Sequence, residues 1–279
     1  MTEQPQENKL EHPCFPQPTD GSVRVWRYLD LAKFIWLLEN HKLYMSRLDL
    51  LNDPHEGSTP KFLAEQWNQE LFQSIAGSRQ KSLLQEFGDA LGNEKFLAEI
   101  PRIIQQHDQM SSINQKMRKH FYVNCWHLGN SESEAMWRLY CPGNSGVAIQ
   151  TSYNKLVASV ENHSSLFIGK VSYIDYEFQG FPQGNILYPV MHKRISFAHE
   201  QEVRLVTTKF PENWGTPQEE VNPLGVLFDW PLDMVVEAIH VDPYAPVYFH
   251  DVVSSVIRRV LPDLEDRVFW SKMRASPVY

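Results

Sequence analysis

A short apolar segment that ends in a proline turn is the feature that most constrains how this chain can fold. Lys42–Leu48 alternates as a β-strand does, and the loop Asn52–Gly57 follows shortly after it. Asn and Asp side chains bond to nearby backbone NH groups and proline presets φ, so Asn52-Asp53-Pro54 favours a turn. We therefore expect a strand followed by a loop of fixed shape that carries Asp53, His55 and Glu56.

The elements around this loop predict an α+β fold. Val23–Tyr28 alternates like a strand, and Asp30 can cap a helix whose apolar residues recur at helical spacing. Strand and helix patterns do not alternate regularly enough for a doubly wound fold. We expect a mixed, mainly antiparallel sheet. Later strands are predicted at 121–126, 146–150, 166–176, 202–207, 225–228, 235–241 and 267–270, and later helices at 246–260 and, behind a capping box at 131–134, up to residue 140.

The pattern also predicts the domain organisation. Residues 1–20 hold four prolines among polar neighbours, so we expect a flexible tail there. Residues 21–279 read as one α+β domain. Within it, Leu63, Trp67, Leu71 and Ile75 recur every four residues, and residues 60–119 are predicted to be a helical insertion that could cover a site.

Composition limits the partners and the location. The formal net charge of −8 argues against nonspecific nucleic-acid binding, which depends on Lys and Arg, although a local basic groove stays open. No segment reaches the roughly 18 apolar residues of a membrane span, and the start of the chain is polar. The three cysteines lack the spacing of zinc or redox sites. We expect a cytoplasmic protein with no membrane partner.

The segment Glu200–Arg204 is the second candidate cluster. Because side chains alternate along a strand, Glu200, Glu202 and Arg204 should share one face. Two carboxylates there could orient a sugar hydroxyl or activate a nucleophile, and Arg204 would keep one of them ionised. The alternative is a solvated strand face with a weak surface ion pair.

A third group lies on the helix that ends at Tyr140. Met136, Trp137 and Tyr140 have the spacing of a core-packing face, whereas Arg138 could stack on an aromatic ring or bind an anion. No phosphate-binding glycine loop, dinucleotide fingerprint, nucleophile elbow or zinc-protease helix is present in the sequence. The common cofactor and hydrolase classes are therefore disfavoured.

Three motifs in order carry a resemblance to a family. They are the Asn-Asp-Pro-x-Glu loop at 52–56, Met-Trp-x-x-Tyr at 136–140 before a Gly-led strand, and Lys193 followed by Glu-x-Glu-x-Arg at 200–204. In these motifs the chain resembles a bacterial family of domains of unknown function, DUF2971. The phage-related settings of that family imply a role in defence or as a toxin-like effector.

A weaker similarity is to ADP-ribosyltransferases. It implies that Arg27 anchors a phosphate of NAD, that Tyr44 and Ser46 contact the nicotinamide side, and that Glu202, paired with Glu200, stabilises the transition state. The cofactor would be NAD, and no metal ligand is assigned. The chain departs from that family because Ser46 is not followed by Thr.

Two other classes compete with this hypothesis. A metal-dependent nuclease would collect the carboxylates of Asp53, Glu56, Glu200 and Glu202 around Mg²⁺, with Lys193 converging on them. A non-catalytic binding module would instead bury and pair Asn52, Asp53 and Arg204. Both enzyme hypotheses require Arg27, Asp53 and Glu202 to share one cleft, which we expect to be completed by Trp137 and Arg138.

Overall fold

A computed structural model describes residues 12–67, 69, 115–213 and 222–276. Within these ranges the chain forms strands and helices in an irregular order. The strands are β1 Arg24–Asp30, β2 Lys42–Arg47, β3 Phe121–Leu128, β4 Gly146–Ser152, β5 Phe167–Lys170, β6 Ser172–Ile174, β7 His192–Arg194, β8 Glu202–Thr208, β9 Gly225–Asp229, β10 Ala238–Val241 and β11 Val268–Trp270. The α-helices with defined bounds are α1 Leu31–Asn40, α2 Glu134–Tyr140, α3 Tyr153–Val160, α4 Leu232–Val235 and α5 Val247–Val260.

The main sheet forks at β3. Its order runs β11-β10-β4-β1-β3, and β3 pairs along its whole length with β8, which in turn pairs with β5. On the other side of β3, residues 122–123 pair with β2 and residues 127–128 pair with β1, so two strands leave the same edge in different directions. Every pair is antiparallel except β10 with β11, and β6 with β7 in a small second sheet. The predicted α+β fold with a mixed, mainly antiparallel sheet is confirmed.

The two faces of the sheet have different characters. Val25 and Leu29 of β1 and Val203 and Leu205 of β8 point into the largest apolar core, against helices α1, α3 and α5. The alternate residues of the same strands point to the opposite face, which α2 covers. That second face holds the polar residues described below.

Local signals position the first elements as the sequence predicts. The Asp30 side chain accepts a hydrogen bond of 2.8 Å from the backbone N of Lys33 and so caps α1. The helix buries Phe34, Leu37 and Leu38, and ends where His41 adopts a left-handed φ of 51°. The chain then enters β2 at once, which brings the loop after β2 to the second face.

The capping box predicted at 131–134 is wrong in its detail. Ser133, not Ser131, caps α2 by accepting from the backbone N of Met136. Glu132 turns away and accepts from the indole Nε1 of Trp137 and the backbone N of Lys272. The carboxylate of a box opened by Ser131 would be Glu134, which instead begins α2 and accepts from the hydroxyl of Tyr244.

The prediction of a flexible tail is wrong for residues 12–20. Cys14 and Phe15 are buried, and the Phe15 ring stacks on Phe167 at 5.1 Å. The backbone N of Lys170 donates to the carbonyl of Pro16 at 2.8 Å, so this segment lies along β5. Two apolar side chains among the prolines are enough to anchor it. Residues 1–11 lie outside the described residues.

Two other expectations concern the middle of the chain and the membrane. Residues 61–67 and 115–117 of the predicted insertion are helical, and residues 68 and 70–114 lie outside the described residues. Among the helices that are described, none combines the length and the apolar character needed to cross a membrane.

Candidate functional site

A cavity of about 310 Å³ opens on the second face of the sheet, between β8, the loop after β2 and helix α2. Part of its wall is apolar and part is charged. The lining residues are Leu50, Leu51, Asn52, Asp53, Glu56, Cys125, Leu139, Tyr140, Lys193, Phe197, Glu200, Glu202 and Arg204.

Arg204 is the centre of the charged wall and is fully buried. Its Nε and Nη2 donate to the two oxygens of Glu202 at 2.7 and 2.9 Å, which is a bidentate pair. Its Nη1 donates to Glu56 Oε2 at 3.1 Å and to the carbonyl of Val190 at 2.5 Å. Arg204 therefore joins the sheet to the Asn52–Gly57 loop. The expectation of a solvated strand face is wrong, because Glu202 and Arg204 are both buried.

Lys193, on β7, is the second cation of the wall. Its Nζ lies 2.5 Å from Glu200, 3.0 Å from Glu56 and 3.5 Å from Glu202. Three carboxylates and two cations thus share one buried cluster, formed by residues 56, 193, 200, 202 and 204. Buried charges are tolerated in this way only when they are paired and hydrogen-bonded.

A neighbouring ion pair fixes the start of the loop. The guanidinium of Arg194 donates to both oxygens of Asp53 at 2.7 and 3.2 Å. Asp53 Oδ1 also accepts from the backbone N of His55 at 3.0 Å, which is the predicted Asx turn. The loop owes its shape to both contacts. The predicted mutual pairing of Asn52, Asp53 and Arg204 is not what forms, since Arg204 takes Glu56 and Glu202 instead.

Glu200 lines the cavity from a different secondary-structure element than the one predicted. It is the last residue of the 3-10 helix Ile195–Glu200 and not part of a strand. Gln201 follows with a φ of 40°, and this left-handed residue turns the chain into β8. Glu202 and Arg204 do share a strand face as predicted. Glu200 joins them because Lys193 bridges the two carboxylates.

The environment displaces the pKa values of the two glutamates in opposite directions. Burial raises the pKa of Glu200, and the nearby Lys193 only partly offsets this effect. Burial acts on Glu202 as well, but Arg204 and then Lys193 outweigh it and lower the pKa of Glu202 to about 2. Lys193 and Arg204 have raised pKa values because the carboxylates overcome the effect of burial on each cation. At neutral pH Glu202 is therefore ionised, whereas Glu200 binds protons more readily than an ordinary glutamate.

A smaller compartment of about 40 Å³ adjoins the cavity. Four residues line both spaces, namely Cys125, Tyr140, Glu200 and Glu202. His127 also lines this compartment, and its Nδ1 lies 2.6 Å from the backbone carbonyl oxygen of Glu200, within hydrogen-bonding distance. Burial lowers the pKa of His127.

The three residues assigned to NAD do not line this cavity. Arg27 alternates with Trp26 and Tyr28 along β1 and lies 5.8 Å from the Trp126 ring. Its buried Nη1 has no hydrogen-bond partner among the described residues, and burial lowers its pKa to about 10. Tyr44 and Ser46 belong to β2, where they pair with β9. Asp53 and Glu202 therefore share one cavity, but Arg27 does not join them, because alternation along β1 directs it to the opposite face of the sheet. The requirement that all three residues share one cleft is not met, so an enzyme at this cavity would have to act without Arg27.

Two further candidates lie on α2 outside the cavity. Trp137 is buried and packs edge-to-face on Tyr28 at 5.0 Å. Arg138 lies over the ring of Tyr244 at 3.8 Å, as expected of a stacking arginine, and pairs with Glu134. Tyr140, one turn further, is the residue of this helix that reaches both spaces.

Sequence reasoning assigned no site role to Arg194, Phe197 or Tyr140. The signal for Arg194 was its position beside Lys193, two cations in a row before an acidic segment. Phe197 lies close to both cations, 4.7 Å from Lys193 Nζ. For Tyr140, the helical spacing indicated core packing, because spacing does not report where a helix ends and its last turn becomes exposed.

The donor set limits the ions that the cavity could hold. Among the residues that the structure describes, no group of three or more His, Cys, Asp and Glu side chains is arranged to hold a metal ion. The carboxylates here face ammonium and guanidinium groups. All three cysteines, residues 14, 125 and 141, carry free thiols.

Comparison with known proteins identifies the region that builds this site. Residues 136–205, which run from α2 into β8, match the family described as "Protein of unknown function (DUF2971)". This segment is similar to DUF2971 regions. The predicted DUF2971 resemblance is thereby confirmed, and it includes Lys193, Glu200, Glu202 and Arg204. The Asn52–Gly57 loop, which completes the cluster, lies outside the DUF2971 match. No curated protein and no solved structure matches the chain.

Proposed function

We propose that the 310 Å³ cavity is the active site of a glycosyl-transfer enzyme, with Glu202 and Glu200 as its catalytic residues. One observation carries this proposal. Two glutamates on the wall of a single cavity have pKa values displaced in opposite directions. Such a pair is how an enzyme assigns different tasks to two carboxylates.

The ionised Glu202 suits the stabilisation of positive charge at an anomeric carbon. With NAD as donor, the bond between the ribose C1′ and the nicotinamide nitrogen breaks, and its electron pair leaves with neutral nicotinamide. An acceptor O–H then bonds to C1′ and gives its proton to Glu200. The raised pKa of Glu200 makes its carboxylate a stronger base for this step.

NAD is the proposed cofactor, as the similarity to ADP-ribosyltransferases implies. Tyr140 and Phe197 are the aromatic residues available in the cavity for nicotinamide. The unpartnered Nη1 of Arg27 is compatible with an anion-binding role, but that residue does not line this cavity. We also propose, on the family resemblance and the free thiols, a bacterial protein of the cytoplasm that acts in defence or as an effector.

Nicotinamide release from NAD tests this proposal, together with mass spectrometry of the chain and of added proteins for ADP-ribose. Glu202→Gln should lower turnover by about 10²-fold or more. Glu200→Gln should remove the acidic limb of the pH profile, on which protonation inactivates the base, and a merely structural role would not do this. Glu134→Gln, an exposed change on α2, is the control. Wild-type protein that neither releases nicotinamide nor modifies any protein overturns the proposal.

A second candidate is a metal-dependent nuclease. Its support is that Asp53, Glu56, Glu200, Glu202 and Lys193 all line one cavity. It predicts cutting of nucleic acid that needs Mg²⁺ or Mn²⁺ and that Asp53→Ala abolishes. Intact substrate with both metals rejects it.

A third candidate is a binding module without catalysis. Its support is the pairing of Arg204 with Glu56 and Glu202, which ties the loop to the sheet. It predicts that changes in this cluster alter melting temperature and ligand affinity, with no turnover to lose.

A further inference from the structure

A second cavity, of about 660 Å³, lies on the same face of the sheet, toward its other edge. Its floor is made by four adjacent strands, β1, β4, β10 and β11. Trp26 pairs with Gln150 across β1 and β4, and His240 pairs with Phe269 across β10 and β11, so these side chains form one continuous surface. The loop between β3 and α2 and the turn after β11 build the walls. The volume falls within the range of small-molecule sites.

The floor is aromatic. The rings of Trp26 and His240 lie 5.1 Å apart, and the rings of His240 and Phe269 lie 6.2 Å apart. Phe269 is 49% exposed, and Trp270 and Met273 stand beside it. An exposed aromatic side chain at the rim of a ring-lined cavity offers a face on which a planar ligand can stack.

The rim carries two cations. Arg24 donates through Nη1 to the neutral carbonyl of Asn130 at 3.0 Å, and no carboxylate in the described ranges pairs with it. The ammonium of Lys272 makes no ion pair with any residue in the described part of the chain. This is a local basic feature on a chain whose net charge is −8.

The one carboxylate of this cavity is already engaged. Glu132 accepts from Trp137 Nε1 at 3.1 Å, from the backbone N of Lys272 at 2.9 Å and from Ser271 Oγ. Three donors therefore surround it, and the two cations at the rim outnumber it. The charge of the cavity favours an anionic ligand.

We propose that this cavity binds a mononucleotide-like ligand, with its planar base against Phe269 and its phosphate against Arg24 and Lys272. The exposed ring of Phe269, backed by the buried rings of Trp26 and His240, accounts for the base, and the two cations account for the phosphate. Trp26 also lines the 40 Å³ compartment beside Glu200, so one indole separates the two sites. The proposal does not rest on the glycosyl-transfer reaction.

Isothermal titration of the full chain with AMP, GMP, CMP and UMP tests the proposal, with adenosine and inorganic phosphate as partial ligands. At least one monophosphate should bind more tightly than either partial ligand. Phe269→Ala should weaken both the monophosphate and its nucleoside by about tenfold, because stacking serves both. Lys272→Gln should weaken only the monophosphate.

Matched controls exclude general effects of these surface changes. Phe178→Ala removes another exposed phenylalanine and Lys33→Gln another exposed lysine, and neither should alter binding. The proposal is overturned if no monophosphate binds at millimolar concentration. It is also overturned if Phe269→Ala and Lys272→Gln bind as the wild type does, because the ligand would then occupy another place.

Discussion

Replacing Arg204 by methionine tests whether the buried cluster is held by mutual charge compensation. Methionine keeps an unbranched apolar stem but removes the guanidinium group and with it all five N–H donors. Glu202 then loses its bidentate partner and Glu56 loses one of its two cations. Lys193 stays within 3.0 and 3.5 Å of these carboxylates and compensates only part of the loss.

The expected decrease in the free energy of unfolding follows from the burial of the cluster. Removing one partner of a buried ion pair destabilises a protein by about 3–5 kcal/mol. For a chain of this size, each kcal/mol shifts the melting temperature by about 2–4 °C, so we expect a decrease of about 6–20 °C at pH 7.

The loss of stability in Arg204→Met should also depend on pH. In the wild type Arg204 holds the pKa of Glu202 to about 2, so this group loses stabilising energy only as the pH falls below its ordinary value of 4.5. Without the guanidinium, burial raises that pKa, and the variant regains stability as the pH falls from 7 towards 4.5. The difference in melting temperature should therefore narrow over this range.

Thermal unfolding followed by circular dichroism at pH 7 and pH 5 measures both effects. Arg258→Met is the control, because Arg258 forms an exposed ion pair with Glu265, and it should melt like the wild type at both pH values. A decrease of only a degree or two for Arg204→Met would refute the reasoning. So would a larger decrease that is identical at the two pH values.

Three further changes follow from the same structure. Glu202→Gln should lower the melting temperature at pH 7 more than Glu200→Gln does, because the fold favours the ionised form of Glu202 and disfavours that of Glu200. An equal decrease in melting temperature for the two variants would contradict the opposite pKa displacements. Gly169→Ala would place a Cβ 2.7 Å from the backbone of the N-terminal segment. It should lower the free energy of unfolding by about 1–3 kcal/mol in a denaturant titration and speed proteolysis near residue 16. Unchanged cleavage would mean that the segment does not pack there. Asp53→Asn weakens the contact with Arg194. It should increase proteolysis within residues 50–57 while leaving the melting temperature nearly unchanged. A loop that stays protected from proteolysis would show that its shape does not depend on the Asp53–Arg194 pair.

Local patterns predicted most of the secondary structure because they depend on neighbours in sequence. The Asp30 cap, the strand after it and the alternation of Glu202 with Arg204 are all settled within a few residues. The burial of Glu202 was not predictable in this way. It depends on Glu56 and Lys193, which reach it from distant parts of the chain and make a buried charge tolerable.

The same limit explains the errors. Composition indicated a flexible tail at residues 12–20, but the two apolar side chains Cys14 and Phe15 find partners on β5. Glu200 was assigned to a strand because its neighbours alternate, whereas Gln201 adopts a left-handed conformation that no local rule required. Arg27 was expected at the shared cleft, but it alternates with Trp26 and Tyr28 along β1 and so points to the face of the sheet opposite the cavity.

The topology of the sheet has a consequence for where a domain can be cut. The DUF2971 match ends at residue 205, in the middle of β8, whose hydrogen-bonded neighbour β3 lies before residue 136. β4 likewise pairs with β1 and β10, both outside the match. A fragment trimmed to 136–205 would carry unpaired strand edges and an Arg204 deprived of Glu56, and we expect it to aggregate. The boundary of sequence similarity is therefore not a boundary of autonomous folding, and truncations of relatives should retain the strands equivalent to β1 and β3.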